Sequence, residues 1–186
     1  LHIQANSITY IMFALDDATS QSDNITLFGD AKIENDALVL TDDLNQTSAM
    51  YVNEPIVMDP SDDIVGFTAH YSFEITKISD LLGEGIVLSF TNDSPTLGTG
   101  GNNYGFGGVN NSIGIEIDFY SSTNDFAAPH VNPSPIVDGQ VPQNSSGLSL
   151  DLALLSYYRD ADMNRTAFKL YVWIDYFKSD NHFYFY

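Results

Sequence analysis

The stretch Gly66 to Ile75 reads GFTAHYSFEI, and its alternation sets Phe67, Ala69, Tyr71, Phe73 and Ile75 on one face of a strand. Segments of this kind recur along the chain. No stretch keeps apolar residues at i, i+3, i+4 and i+7 over three turns. Short strands divided by Gly, Asn and Asp turns bury their apolar faces by stacking sheet on sheet. The chain is therefore expected to be all-β, an antiparallel β-sandwich with almost no helix. The expected strands are Ser7 to Leu15, Ile25 to Leu27, Ala49 to Val52, Ile56 to Val57, Ile86 to Phe90 and Ser112 to Tyr120. Two hairpins join them, Ala31 to Leu40 across Asn35-Asp36, and Phe168 to Tyr186 across residues 178–181. Leu148 to Tyr158 reads equally as helix or strand.

The 186 residues fit one domain, 1–186, and a hydrophobic content of 44% is enough for a packed core. Six Lys plus Arg stand against 25 Asp plus Glu, a net charge of −19. That balance argues against nucleic acid and anionic membrane surfaces as partners, and suits a calcium-containing medium. The absence of cysteine excludes a disulfide framework and thiol chemistry. No apolar run is long enough for a membrane-spanning helix. The start at Leu1 fits a mature or trimmed product. N-x-[ST] sequons occur at Asn24, Asn45, Asn92, Asn110, Asn144 and Asn164. Chance alone would give about two, so a secreted or cell-surface glycoprotein is expected.

The chemistry concentrates between Gly105 and Val131. On a strand from Ser112 to Tyr120, Glu116, Asp118 and Tyr120 share one face and Ile115, Ile117 and Phe119 the other. Two adjacent carboxylates repel each other and are costly to bury unpaired; a cation is the usual remedy. The next loop adds Asp125 and His130. Carboxylate oxygens suit Ca²⁺ or Mn²⁺, and one imidazole beside carboxylates suits Mn²⁺ or Zn²⁺. Two solvated strand carboxylates near an unrelated loop histidine would show the same spacing.

These residues resemble the metal-binding segment of the legume-type (L-type) lectins, the concanavalin A-like family, and especially its non-plant members. Glu116, Asp118 and Tyr120 match the first half of the pattern E-x-D-x-[FY]-x-N, and Asp125 and His130 match the D-P and H that follow. ITLFGDAKIENDALVLT, AMYVNEPIVM, FTAHYSFEI with GEGIVLSF, and VWIDYFKSDNHFYFY are similar, in order, to the family's successive strands. The resemblance runs from about Ser7 to Tyr186 and implies a concanavalin A-like jelly roll, with the family's last strands missing from this chain. It implies a transition ion, Mn²⁺, on Glu116, Asp118, Asp125 and His130. It also implies Ca²⁺ on Asp118, Asp125, the Tyr120 carbonyl and Ser122 or Asn124. Three departures stand out. Ser122 replaces the family's calcium- and sugar-binding Asn, Phe126 replaces the Pro, and the loop between Tyr120 and Asp125 is short.

For sugar binding the resemblance points to Glu84, where the family has Asp, to the backbone of Gly101, Asn102 and Asn103, and to Tyr120 and Asn124. The expected function is metal-dependent recognition of glycans or glycoproteins without catalysis. The rival expectation is a lectin-fold module of an extracellular filament or adhesin that has lost sugar binding and assembles with its own kind. A glycoside hydrolase of related fold is disfavoured: retaining hydrolysis needs two carboxyl groups in set roles, and Ser121 stands where the second Glu would be. Far-UV circular dichroism should give a β-type spectrum; more than about a quarter helix would rule out the sandwich.

Overall fold

The computed structural model describes residues 19–20, 22–56, 66–76, 84–118, 132–137, 139, 156–159, 165–179 and 182–185. Eleven strands lie among them. In chain order they are β1 (Ile25–Gly29), β2 (Lys32–Glu34), β3 (Ala37–Val39), β4 (Ser48–Val52), β5 (Gly66–Thr76), β6 (Gly85–Thr91), β7 (Ser112–Asp118), β8 (Asn132–Val137), β9 (Ser156–Arg159), β10 (Arg165–Phe177) and β11 (His182–Phe185). Every pairing between them is antiparallel. None of the described residues is α-helical, and none forms a helix able to cross a membrane.

Two sheets face each other. One runs β11-β10-β5, with β9 also on β10; the other runs β6-β7-β8. Their inner faces supply a single core. Leu88 of β6 and Ile115 and Ile117 of β7 meet Leu170, Val172 and Ile174 of β10, and Ala69, Tyr71, Phe73 and Ile75 of β5 pack against them. The period of two explains the selection: on β10, Leu170, Val172 and Ile174 are buried while Tyr171 and Trp173 between them are exposed. The antiparallel sandwich expected from the alternation is thus observed, with the Ile115/Ile117 face inside. Phe119, Ser7 to Leu15 and residue 57 lie outside the described residues, and Ile56, expected in a strand, is not in one.

One end of the sandwich is filled by aromatic rings. Phe67 of β5 lies 5.0 Å from Phe90 of β6, bridging the sheets, and Tyr176 and Phe183 lie 4.7 Å apart beside them. Phe183 belongs to β11, so the final aromatic strand finds its partner within this chain, pairing with β10 from Ile174↔Phe185 to Phe177↔His182. The β2–β3 hairpin turns at Asn35 and Asp36, with φ of 50° and 61°. This left-handed pair makes a two-residue turn whose twist matches the strands. β1 and β4 form a separate two-stranded ribbon.

Two elements differ from the sequence reading. β8, NPSPIV, carries Pro133 and Pro135 and was not expected as a strand. Prolines two apart lose their donors on one edge of a strand only, so the opposite edge still pairs; β8 pairs β7 from Asp118↔Asn132 to Ile113↔Val137. In the ambiguous segment 148–158, Ser156 to Tyr158 are strand, as part of β9, and pair with β10; residues 148–155 lie outside the described residues.

Ile174 has 0% exposure at the centre of the core. Ile174→Ala should lower stability by about 2–5 kcal/mol through lost burial and a residual cavity. Chemical denaturation measures it; a loss under about 1 kcal/mol would contradict the packing described.

Candidate functional site

β7 positions the site. Its odd residues enter the core, so Ser112, Gly114 and Glu116 turn to the opposite face of the sheet. That face is not open to water: Ser112 is 3% exposed and Glu116 1%. The cover is the glycine-rich loop between β6 and β7. Phe106 and Val109 of the loop are 3% and 1% exposed. They form a small second core with Val87, the residue directly opposite Glu116 in the β6–β7 register. The Ser112 hydroxyl donates to the Val109 carbonyl at 2.5 Å and fastens the loop's end to the strand.

The loop is held by its own backbone. Gly98 N–H donates to the Gly105 carbonyl at 2.8 Å, Thr99 N–H to Gly107 at 3.0 Å, and Gly105 N–H returns to Thr99 at 2.9 Å. A side chain at Gly98 would put its Cβ 2.6–2.8 Å from backbone atoms of residues 105–107, so the crossing requires glycine. Gly101–Asn103 forms a single 3₁₀ turn at the tip, closed by Tyr104 N–H donating to Gly101 at 2.8 Å. Tyr104 sits at φ 53°, a left-handed conformation uncommon outside glycine and frequent at ligand sites. Gly101, at φ +59°, has no heavy atom within 4 Å of where a Cβ would lie. Its backbone is therefore open to close approach.

The β1–β4 ribbon buttresses the loop. The Tyr51 hydroxyl donates to the Thr96 carbonyl at 2.9 Å, and burial raises its pKa. Thr47 fills the space beside Gly100 and Gly105. Neither contact had a local signal, since each spans some 45–60 residues. Phe106, Val109 and Ser112 carry no such signal for another reason: they gather around Val87, the cross-strand neighbour of Glu116, which only the register of β7 reveals.

In sequence and register, Glu84, Glu116 and Asp118 fall where β6 starts and β7 ends. Gly85 pairs with Asp118, so half-buried Glu84 lies next in chain to the partner of Asp118, two residues beyond Glu116. A carboxylate buried as deeply as Glu116 demands compensation by hydrogen bonds, protonation or a positive charge. Between Lys77 and Arg159 the chain has no Lys or Arg, while it has eight Asp and Glu. The segment that builds this corner supplies no side-chain cation of its own beyond His130. Among the described residues no three His, Cys, Asp or Glu side chains come together as a metal-binding group. The remaining expected ligands, Tyr120, Ser122, Asn124, Asp125 and His130, lie outside the described residues. The donor chemistry of Glu116 and Asp118, hard oxygens in an anionic corner, fits a divalent cation. Asn24, Asn45, Asn92 and Asn110 are all exposed; Asn144 and Asn164 lie outside the described residues.

Comparison with known proteins bears on this arrangement. The sequence pattern of the legume lectin domain matches residues 5–183, nearly the whole chain. No curated protein matches the chain significantly. The matched span includes strands β1 to β10, with the glycine-rich loop and the acidic strand β7. The chain therefore belongs to the legume lectin domain family.

Proposed function

We propose that this domain binds glycans without catalysis, at the loop-covered end of the β6-β7-β8 sheet, and that a bound divalent cation is part of that site. The observation that carries the reading is Glu116: 1% exposed, two residues from Asp118, in a stretch without Lys or Arg. Glu116 and Asp118, with Asp125 and His130, would hold a transition ion such as Mn²⁺. Asp118 and Asp125, with the Tyr120 carbonyl and Ser122 or Asn124, would hold Ca²⁺. Bound there, the ions would supply positive charge to buried Glu116 and its neighbour Asp118 and would fix the loop that follows β7.

Glu84 would accept hydrogen bonds from sugar hydroxyls, and the open backbone at Gly101, with Asn102 and Asn103, would meet the sugar from the other side. Tyr120 and Asn124 complete the set. Glu is one methylene longer than the family's Asp, which moves the carboxylate about 1.5 Å and narrows the range of sugar poses that hydrogen-bond. Exposure of four sequon asparagines supports an extracellular glycoprotein. A rival reading as an assembly module draws on β11, which ends the described order β11-β10-β5 with one edge free of described strands.

A cation that binds only the native state stabilises it by RT ln(1 + [L]/Kd), about 2.7 kcal/mol at a hundredfold excess over Kd. EDTA should therefore lower the melting temperature by about 5–10 °C relative to calcium- and manganese-loaded protein. Glu116→Gln should melt below the wild type with metal present and no lower than it in EDTA, because the buried charge is then gone. Identical wild-type melting curves in both buffers would contradict the metal. In calcium buffer on a glycan array, the wild type should bind and Asp118→Asn should not. A metal-loaded wild type that bound no glycan would overturn the lectin reading.

A further inference from the structure

The turn that leans on the tip of the glycine-rich loop carries a sequon. Residues 42–47 read DDLNQT, so Asn45 is followed by Gln46 and Thr47. The turn is held stiffly. Gln46 Oε1 accepts the Asp42 N–H at 2.7 Å and the Asp43 N–H at 3.0 Å, and Gln46 Nε2 donates back to the Asp42 carboxylate at 3.2 Å. Lys32 anchors the same carboxylate at 2.6 Å. Thr47 is tied twice to Asp30: its N–H donates to the carboxylate at 2.8 Å, and its carbonyl accepts the Asp30 N–H at 3.3 Å. Within this frame Asn45 is exposed at φ 59°, a left-handed conformation that Asn adopts more readily than most residues. Leu44 beside it is 63% exposed.

Position decides what a modification here would do. Thr47 touches the loop on both sides of its tip: a Cβ at Gly100 would overlap the Thr47 side chain, and one at Gly105 would come within 3.2 Å of its methyl group. Asn45 is two residues from Thr47, at most about 7 Å along the chain. Gly101, whose backbone is open to close approach, follows Gly100 directly. The other exposed sequons lie elsewhere. Asn24 precedes Ile25, at the end of the β1–β4 ribbon opposite to Thr47 and about 20 Å along it. Asn92 and Asn110 flank Thr91↔Ser112, the β6–β7 pair farthest from Glu84.

We infer that Asn45 carries an N-linked glycan that stands beside the loop tip and screens the loop-end site, admitting small free sugars and holding back bulky glycoproteins. Such a screen presupposes the loop-end site and the extracellular setting proposed above. The Asn45 amide nitrogen bonds to the anomeric carbon of an oligosaccharide carried on a lipid diphosphate. The bond from that carbon to the diphosphate oxygen breaks, the lipid diphosphate leaves, and the amide nitrogen gives up one proton. The attached glycan is bulky and hydrated. On a stiff turn it keeps its place, and its first sugar covers exposed Leu44.

The full chain would be secreted from cultured animal cells and its Asn45 peptide weighed before and after release of N-linked glycans. An occupied Asn45 is expected, and an unmodified one would overturn the inference. Binding to ribonuclease B and asialofetuin, which carry mannose-rich and galactose-terminated glycans, would then be compared with binding of free methyl mannoside and lactose, all in calcium and manganese buffer. Asn45→Asp removes the glycan and keeps a residue that accepts the left-handed turn. It should bind at least one of the two glycoproteins more tightly by about threefold or more, with affinity for the small sugars unchanged. Asn45→Gly should do the same without adding charge. Asn24→Gln should change nothing. Equal glycoprotein binding by the wild type and both Asn45 variants would overturn the screen and leave the lectin reading standing. So would an equal gain for the small sugars, which would point to a reshaped loop, or an equal gain from Asn24→Gln. Binding of none of the four probes by any of these proteins would overturn the loop-end site and the screen together.

Discussion

The register between β6 and β7 is the constraint on which both halves of this molecule depend. Side chains alternate between faces with a period of two, so a slip of one residue would exchange every one of them. With Ile86 opposite Ile117 and Leu88 opposite Ile115, the apolar residues close the sandwich and Val87 stands opposite Glu116 beneath the loop. A slipped β7 would bring Glu116 into the space occupied by Leu170, Val172 and Ile174, where no polar partner waits. The hydrophobic core therefore sets the position of the acidic face. The site inherits its rigidity from the same contacts that stabilise the fold.

The acidic face is the costlier half. A carboxylate that is 1% exposed has lost its hydration, which costs free energy unless it is compensated. The loop makes the environment drier still, since Phe106 and Val109 seal one side. A cation placed in such an arrangement would be poorly screened. This also explains why the loop is fastened so thoroughly, by its own backbone bonds, by Ser112 and by Tyr51 from a ribbon far away in sequence. If the cover opened, water would compensate Glu116 and the advantage of a bound ion would shrink.

Much of the fold could be read from alternation alone. β5 is long and alternates clearly, so the residues of its inner face could be read from the sequence. Asn35-Asp36 announced its hairpin because few other pairs accept two left-handed conformations. β8 escaped notice because Pro133 and Pro135 normally argue against a strand, and only an edge position reconciles them. At the site, Glu116 and Asp118 were legible because a spacing of two is enough to put them on one face. The cover was not, since Phe106 and Val109 look like ordinary loop apolars until the register brings them over Val87. The buttress was not either, as Thr47 and Tyr51 reach the loop through tertiary packing that no local pattern encodes. Tyr171 and Trp173 stand in the strand segment FKLYVWIDY, but their exposure depends on which face the core claims.

The central claim is that the buried end of β7 is an ion site. Its most direct measurement is anomalous diffraction at the manganese edge from crystals grown with Mn²⁺ and Ca²⁺. The account predicts a strong anomalous peak within bonding distance of a Glu116 carboxylate oxygen, with Asp118 as a second ligand. Well-ordered Glu116 and Asp118 side chains with no anomalous peak beside them would contradict it.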